Sequence, residues 1–262
     1  MTSLLELGRQ GKPITDIEII DMHAHINVRF GVPGDTGPAA IVKAMERTGV
    51  AITLITTSSP VSLQDADREN RSVLEGVRAF PGRLLGYLRP WPVAERVPLE
   101  EAATQIAEGY VGVKLYTTCH VTYTHPSYDP YLAVAHEQRR PVLFHTWGQE
   151  TDLDAIRQVA RRYPAASLLV AHAGSCNEPE YIQLARDCEN VYLDLTLSYS
   201  PRGLVARFLE AVGADRVVWG SDTALFSQAQ QLGKVLGARI PDEAKIKILS
   251  TNARRILDRV CT

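Results

Sequence analysis

The sequence lacks any apolar run near the roughly 18 residues needed to span a bilayer, and its first twelve residues, MTSLLELGRQGK, lack the long apolar core of a secretory signal. It has no excess of either charge. Its 28 basic and 30 acidic side chains leave a formal net charge of −2, which excludes the basic footprint of a protein that binds nucleic acid or an anionic membrane. It has no Cys-x-x-Cys. The 4 cysteines, Cys119, Cys176, Cys188 and Cys261, are scattered and read as reduced thiols rather than a disulfide framework or a zinc ribbon. Internal repeats and low-complexity tracts are also missing. What remains is the expectation of a soluble cytoplasmic protein whose partner is a small molecule, with neither nucleic acid nor membrane involved.

What is present is ordinary globular composition, 45% hydrophobic and 22% charged over 262 residues, arranged in a strict alternation. Short unbroken apolar runs read as strands buried on both faces, as in parallel sheets. They cover 17–20 (continuing into two histidines), 50–55, 84–88, 111–116, 141–145, 167–172, 191–195 and 217–222. Between them lie segments with helical apolar spacing at 38–48, 65–80, 99–108, 130–138, 153–162, 179–188 and 204–212, and an amphipathic stretch closes the chain at 241–260. Eight such units predict an α/β fold, a single (β/α)8 TIM barrel spanning 1–262 as one domain. The rival is an open doubly wound sheet. That fold places a Gly-rich turn after the first strand, where this chain has His23-Ala24-His25.

In such a barrel the chemistry sits at the C-terminal ends of the strands. Those positions are His23 and His25 on strand one, Arg89 on three, Lys114 and Tyr116 on four, His145 on five, His172 on six, Asp194 on seven and Asp222 on eight. Residues i and i+2 of a strand share a face, so the two imidazoles of His23 and His25 aim at one region, a natural start for a divalent metal site. Four of the 7 histidines end apolar runs, which scattered surface histidines would not do. Arg89 has the bidentate fork to clamp a substrate carboxylate, and pairing with a loop carboxylate is its equally weighted alternative. A lysine at position 114, aimed into the barrel on the face of Tyr116, must be paired or neutralised. His120, Tyr123 and His125 lie on the long loop after strand four and are candidates to shape the pocket, although for His125, as for His136, a structural role is the better reading. Cys119 falls near the mouth with nothing local to make it a nucleophile.

Taken together in order, these residues resemble the amidohydrolase superfamily, in its amidohydrolase-related branch. The resemblance is carried by His-x-His on strand one and by the phrases Gly112-Val113-Lys114-Leu115, Pro141-Val142-Leu143-Phe144-His145, Leu169-Val170-Ala171-His172-Ala173-Gly174, Trp219-Gly220-Ser221-Asp222 and Asn252-Ala253-Arg254-Arg255-Ile256-Leu257. It implies that His23, His25, His145 and Asp222 bind a divalent metal, and that Asp222 also takes a proton from the activated water. It implies that His172 is either a ligand to a second ion or a general acid/base, and that Lys114 is a candidate bridge if carboxylated, with the unbridged lysine favoured. Asp194 is expected to orient a ligand histidine. Arg89 and Tyr116 are the expected substrate-binding residues.

The resulting expectation is a metal-dependent hydrolase acting on an amide, ester or lactone of a small to mid-sized substrate. Its cofactor would be a divalent ion, zinc before manganese, with one per chain favoured over two. The alternative is a metal-dependent non-oxidative decarboxylase of an unsaturated or aromatic carboxylic acid. A barrel that merely binds is a third reading, opposed by the complete His/His/His/His/Asp set. The expected assembly is a homodimer, on the frequency of two-fold dimers alone.

Overall fold

The computed structural model describes residues 3–29, 34–58, 61–92, 97–117, 120–196 and 200–261. Eight strands form one parallel sheet in sequential order: β1 (Ile19–His25), β2 (Val50–Thr56), β3 (Leu84–Leu88), β4 (Tyr110–Leu115), β5 (Pro141–Phe144), β6 (Ser167–Val170), β7 (Val191–Asp194) and β8 (Val217–Val218). The sheet then closes on itself. Met22 N donates to Trp219 O at 3.0 Å, Asp222 N to His23 O at 2.7 Å, and Ala224 N to His25 O at 3.1 Å. The expected (β/α)8 barrel is therefore the observed one. Helices α1 (Leu4–Arg9), α2 (Pro38–Thr48), α3 (Leu63–Ala79), α4 (Leu99–Ala107), α5 (Asp129–Glu137), α6 (Glu150–Arg162), α7 (Glu178–Asp187), α8 (Leu204–Val212) and α9 (Gln228–Leu236) accompany the strands, and α10 (Asp242–Ile246) and α11 (Asn252–Asp258) follow them.

Local chemistry sets these elements. In α2, Pro38 opens the helix, where its missing N–H costs nothing, and Ile41, Val42 and Met45 form its buried stripe. Gly49 ends α2 at φ 84°, and a side chain there would run into the backbone of Ile14, whose carbonyl oxygen lies 2.1 Å from the Cβ position. α3 begins at Ser62, whose hydroxyl accepts from Asp65 N.

The barrel interior is filled by Ile20, Met22, Leu54, Tyr87, Leu143, Leu169 and Val218. Two apolar side chains of α11, Ala253 and Ile256, join this cluster and stop the end at which the strands begin. Asn252 fixes the plug by donating from Nδ2 to Ala214 O and Val217 O at 2.7 and 2.8 Å. Only the opposite end, where the strands finish, is left for chemistry.

Four features differ from the sequence-based expectation. The strand expected over 217–222 is regular only for Val217–Val218, and the one expected to reach His172 ends at Val170. His172 and Asp222 sit in the left-handed region, at φ 57° and 56°, outside the extended backbone of a regular strand, and residues 219–224 pair with β1 only irregularly. Helices α1 and α9 lie outside the expected set. The helical tail is not continuous, because a π turn, Lys247–Thr251, separates α10 from α11. Among the described residues no helix is long and apolar enough to cross a membrane.

Candidate active site

The site begins with an irregularity in β1. Ile20 and Met22 point into the barrel, whereas Ile19 and Ala24 belong to the outer core between strands and helices. The face therefore switches between Met22 and Ala24. The pairing with β2 shows how: Asp21 lies opposite Thr53 and Ala24 opposite Ile55, so three steps on β1 match two on β2. One extra residue re-aims the strand. His23 and His25 consequently face inward at the mouth; an unbroken alternation would have kept them on the face of Ile19.

Asp222 meets them from the other side of the closure seam. His23 Nε2 and His25 Nε2 are 3.2 Å apart, and Asp222 Oδ1 lies 2.9 Å from His25 Nε2 and 3.6 Å from His23 Nε2. All three side chains are buried. Despite the 2.9 Å contact, Asp222 Oδ1 makes no aligned hydrogen bond, and His25 Nδ1 is likewise buried without a partner. Burial disfavours the Asp222 carboxylate, but His25, His23 and His172 beside it more than offset this and hold its pKa below the ordinary carboxylate range. Two imidazole nitrogens and an ionised oxygen converging in a buried space form a donor set suited to a divalent cation.

Hydrogen bonds behind the site decide which ring nitrogen keeps its lone pair. His23 Nδ1 lies 2.9 Å from Asp194 Oδ2, so Nδ1 carries the proton and Nε2 faces the site as an acceptor. Asp194 is held in turn by Thr196 N and Thr196 Oγ1. His172 Nδ1 lies 2.8 Å from Thr196 O. A carbonyl only accepts, so His172 is protonated at Nδ1. Burial keeps both His172 and His145 below the usual histidine pKa, leaving His172 Nε2 to accept from His145 Nδ1 at 3.2 Å. That chain leaves the lone pair of His145 on Nε2. His145 stands outside the tight group of His23, His25 and Asp222, joined to it through His172, whose ring centroid is 5.4 Å from that of His23.

Lys114 Nζ reaches His23 Nε2 at 3.2 Å. Burial pushes this lysine from 10.5 down to about 7, with Asp222 and Asp194 pulling the other way. The unfolded chain therefore holds a proton that the folded barrel gives up between about pH 7 and 10.5. Metal-free protein should accordingly gain stability as pH rises from about 7 towards 10, and lose that gain as pH falls back to about 7. Lys114→Met should flatten that slope in urea unfolding measured across this range; an unchanged slope would assign it to other groups.

Arg89 is buried with its guanidinium 3.9 Å from the Tyr116 ring centre. Its backbone is pinned by Asn70, which accepts from Arg89 N at 3.0 Å and donates to Arg89 O at 2.9 Å. Tyr116 stacks on His145, with ring centres 4.9 Å apart. Trp147 lies flat on His172 at 4.7 Å and 7° while remaining 42% exposed. Sequence reasoning passed over Trp147, because a lone tryptophan beyond a strand carries no periodic signal. His120 lines a cavity of about 380 Å³ beside His145 with Trp147, Gln149 and Asp152. Tyr123 is buried and donates to His145 O. His125 and His136 serve locally, accepting from Ser127 N and Ala165 N. Cys119 lies outside the described residues.

Gly220 shows how little room the seam leaves. A Cβ there would sit 2.3 Å from Thr196 Oγ1 and 2.6 Å from His23 Cβ, so the phrase Trp219-Gly220-Ser221-Asp222 needs glycine for close approach.

A model of the amidohydrolase family matches residues 20–259. No protein of curated function matches the sequence. Among solved structures, the chain is similar to a TIM-barrel protein from Bordetella bronchiseptica, with TM-score 0.73, 18% identity, and coverage of 93% of this chain and 99% of that one. It is similar to a probable 2-pyrone-4,6-dicarboxylic acid hydrolase from Acinetobacter baumannii crystallised with citric acid, with TM-score 0.67, 13% identity and coverage of 92% and 100%. It is also similar to a 5-carboxyvanillate decarboxylase from Novosphingobium aromaticivorans in complex with manganese and a nitrobenzoic acid, with TM-score 0.71, 15% identity and coverage of 95% and 98%.

Proposed function

The chain belongs to the amidohydrolase family, and from that premise we propose that it is a metal-dependent hydrolase cleaving an amide, ester or lactone of a small to mid-sized substrate. The observation that carries this is the convergence of His23, His25 and Asp222 within 4.8 Å of one another in a buried mouth. His145 Nε2, left as a lone pair by its neighbour, is the fourth donor of the set. Imidazole and carboxylate donors suit zinc first and manganese second. A single ion is favoured, because among the described residues only one such group exists, His172 is engaged by Thr196 and His145, and Lys114 contacts His23.

When bound, the ion supplies Lewis acidity that acidifies water towards neutral pH and polarises a carbonyl. Asp222, kept ionised by the histidines around it, would accept a proton from water at a carboxylate oxygen. His172, fixed at Nδ1 by the Thr196 carbonyl, would exchange a proton with the leaving group at Nε2 once that nitrogen is released from His145 Nδ1. Arg89 presents its fork to a substrate carboxylate over the Tyr116 face, and Trp147 shields His172 from water.

One observation favours a second reading, non-oxidative decarboxylation. The Arg89–Tyr116 stack and the flat Trp147 ring gather around His145 and His172, a cationic and aromatic setting suited to a planar conjugated acid, and one similar structure is a 5-carboxyvanillate decarboxylase. Elemental analysis of tag-free protein, followed by assays on esters, lactones and aromatic acids, separates the readings. About one zinc or manganese per chain with carbonyl cleavage supports the hydrolase. Carbon dioxide release without hydrolysis selects the decarboxylase. Protein that takes up no metal refutes both.

A further inference from the structure

Among the described residues, Asp21 is a fully buried carboxylate near the mouth that no step above uses. It sits on β1 at the start of the bulge, with its side chain excluded from solvent. Its Oδ1 accepts from His23 N at 3.2 Å and from Ser221 N at 2.8 Å. Its Oδ2 accepts from the Ser221 hydroxyl and from Gln228 Nε2 at 3.0 Å. Gln228 is itself fixed, accepting from the Thr48 hydroxyl of α2 at 2.8 Å. A single carboxylate thus gathers four donors from β1, the segment after β8, and α9.

Those donors have a particular placement. One is the backbone N–H of His23, and two belong to Ser221, the residue before Asp222. Asp222 sits in the left-handed region at φ 56°, a conformation that persists in a non-glycine residue only when its surroundings over-determine it. Asp21 is on the outer side of the seam and Asp222 on the inner side, so Asp21 cannot itself reach the convergent donors. Its bonds instead tie together the two chain segments that carry them.

We propose that Asp21 is a positioning residue. By bonding His23 N and both Ser221 donors at once, it sets the distance between His23 and Asp222 and so the affinity of the His23/His25/Asp222 group for a divalent cation. An uncharged amide cannot do the same. Asparagine in its place would turn an NH2 group towards donors that need an acceptor, and the seam would have to open at that point. The inference rests on the metal-site reading above, and it deepens that reading by naming what holds the site in register.

The test is zinc affinity of Asp21→Asn by competition with a chromophoric chelator, together with the visible spectrum of the cobalt(II)-substituted protein. Residues that orient ligands typically contribute ten- to hundredfold in metal affinity. A folded Asp21→Asn protein is therefore expected to bind zinc about ten- to hundredfold more weakly, with a shifted cobalt spectrum. A folded variant with wild-type affinity and spectrum overturns the proposal. Should Asp21→Asn fail to fold, Ser221→Ala decides. It removes one of the four bonds, so a smaller but measurable weakening is expected, and unchanged affinity refutes the role. Nitrogen-15 spectra of the metal-free histidines keep the two readings separable. If wild-type protein binds no metal, the metal reading falls, and the positioning role then stands or falls on whether Asp21→Asn or Ser221→Ala moves the His23 and His25 resonances.

Discussion

Asp222→Asn is expected to lower kcat by about a thousandfold or more, even with saturating zinc, and to reduce the zinc held at a fixed free concentration. The size follows from the two duties that the proposed mechanism places on one side chain. Among the described residues, Asp222 is the carboxylate within contact distance of both His23 and His25, and it stays ionised in a buried setting because three histidines surround it. Asparagine keeps the shape and loses both the charge and the proton acceptor. The check is steady-state kinetics paired with metal analysis of the same preparation. Retention of most of the turnover would remove Asp222 from the chemistry and revive the reading of a barrel that only binds.

The second large effect concerns His172, for which family resemblance allowed two roles. His172→Asn is expected to lower kcat by about a hundredfold or more, the range for a positioned acid/base, while leaving one metal per chain and changing KM little. Geometry favours this outcome. Thr196 O fixes Nδ1 and His145 Nδ1 occupies Nε2, so the ring lies one step behind the tight donor group instead of within it. Asparagine can still donate to the Thr196 carbonyl, which separates loss of the imidazole from loss of packing. Metal content falling together with kcat would instead make His172 a ligand.

Much of the candidate site is legible in the sequence because its residues occupy positions that strand periodicity singles out. His23, Arg89, Lys114, Tyr116, His145, His172, Asp194 and Asp222 all come to the barrel mouth. Apolar runs buried on both faces are unmistakable in sequence, and the residue that ends each run is thereby marked. Asp194 is marked in the same way, and it lies against His23. The less legible residues act through contacts distant in the chain. Asp21 and Ser221 are 200 positions apart, and Trp147 meets His172 from a different strand end. Nothing in the local sequence of either marks its partner.

By itself the sequence determined the eight alternating units, the end of the barrel at which the candidate site lies, and the set of donors available there, since all three follow from local periodicity and residue type. Only the tertiary structure decided which donors meet. The bulge in β1 turns His23 and His25 inward, the closure seam brings Asp222 against them, and the backbone turns left-handed at residues 172 and 222 where the apolar runs suggest regular strand. Each depends on pairing between segments far apart in the chain. Periodicity within one segment carries no information about the register of that pairing, or about the one added residue that reverses a face.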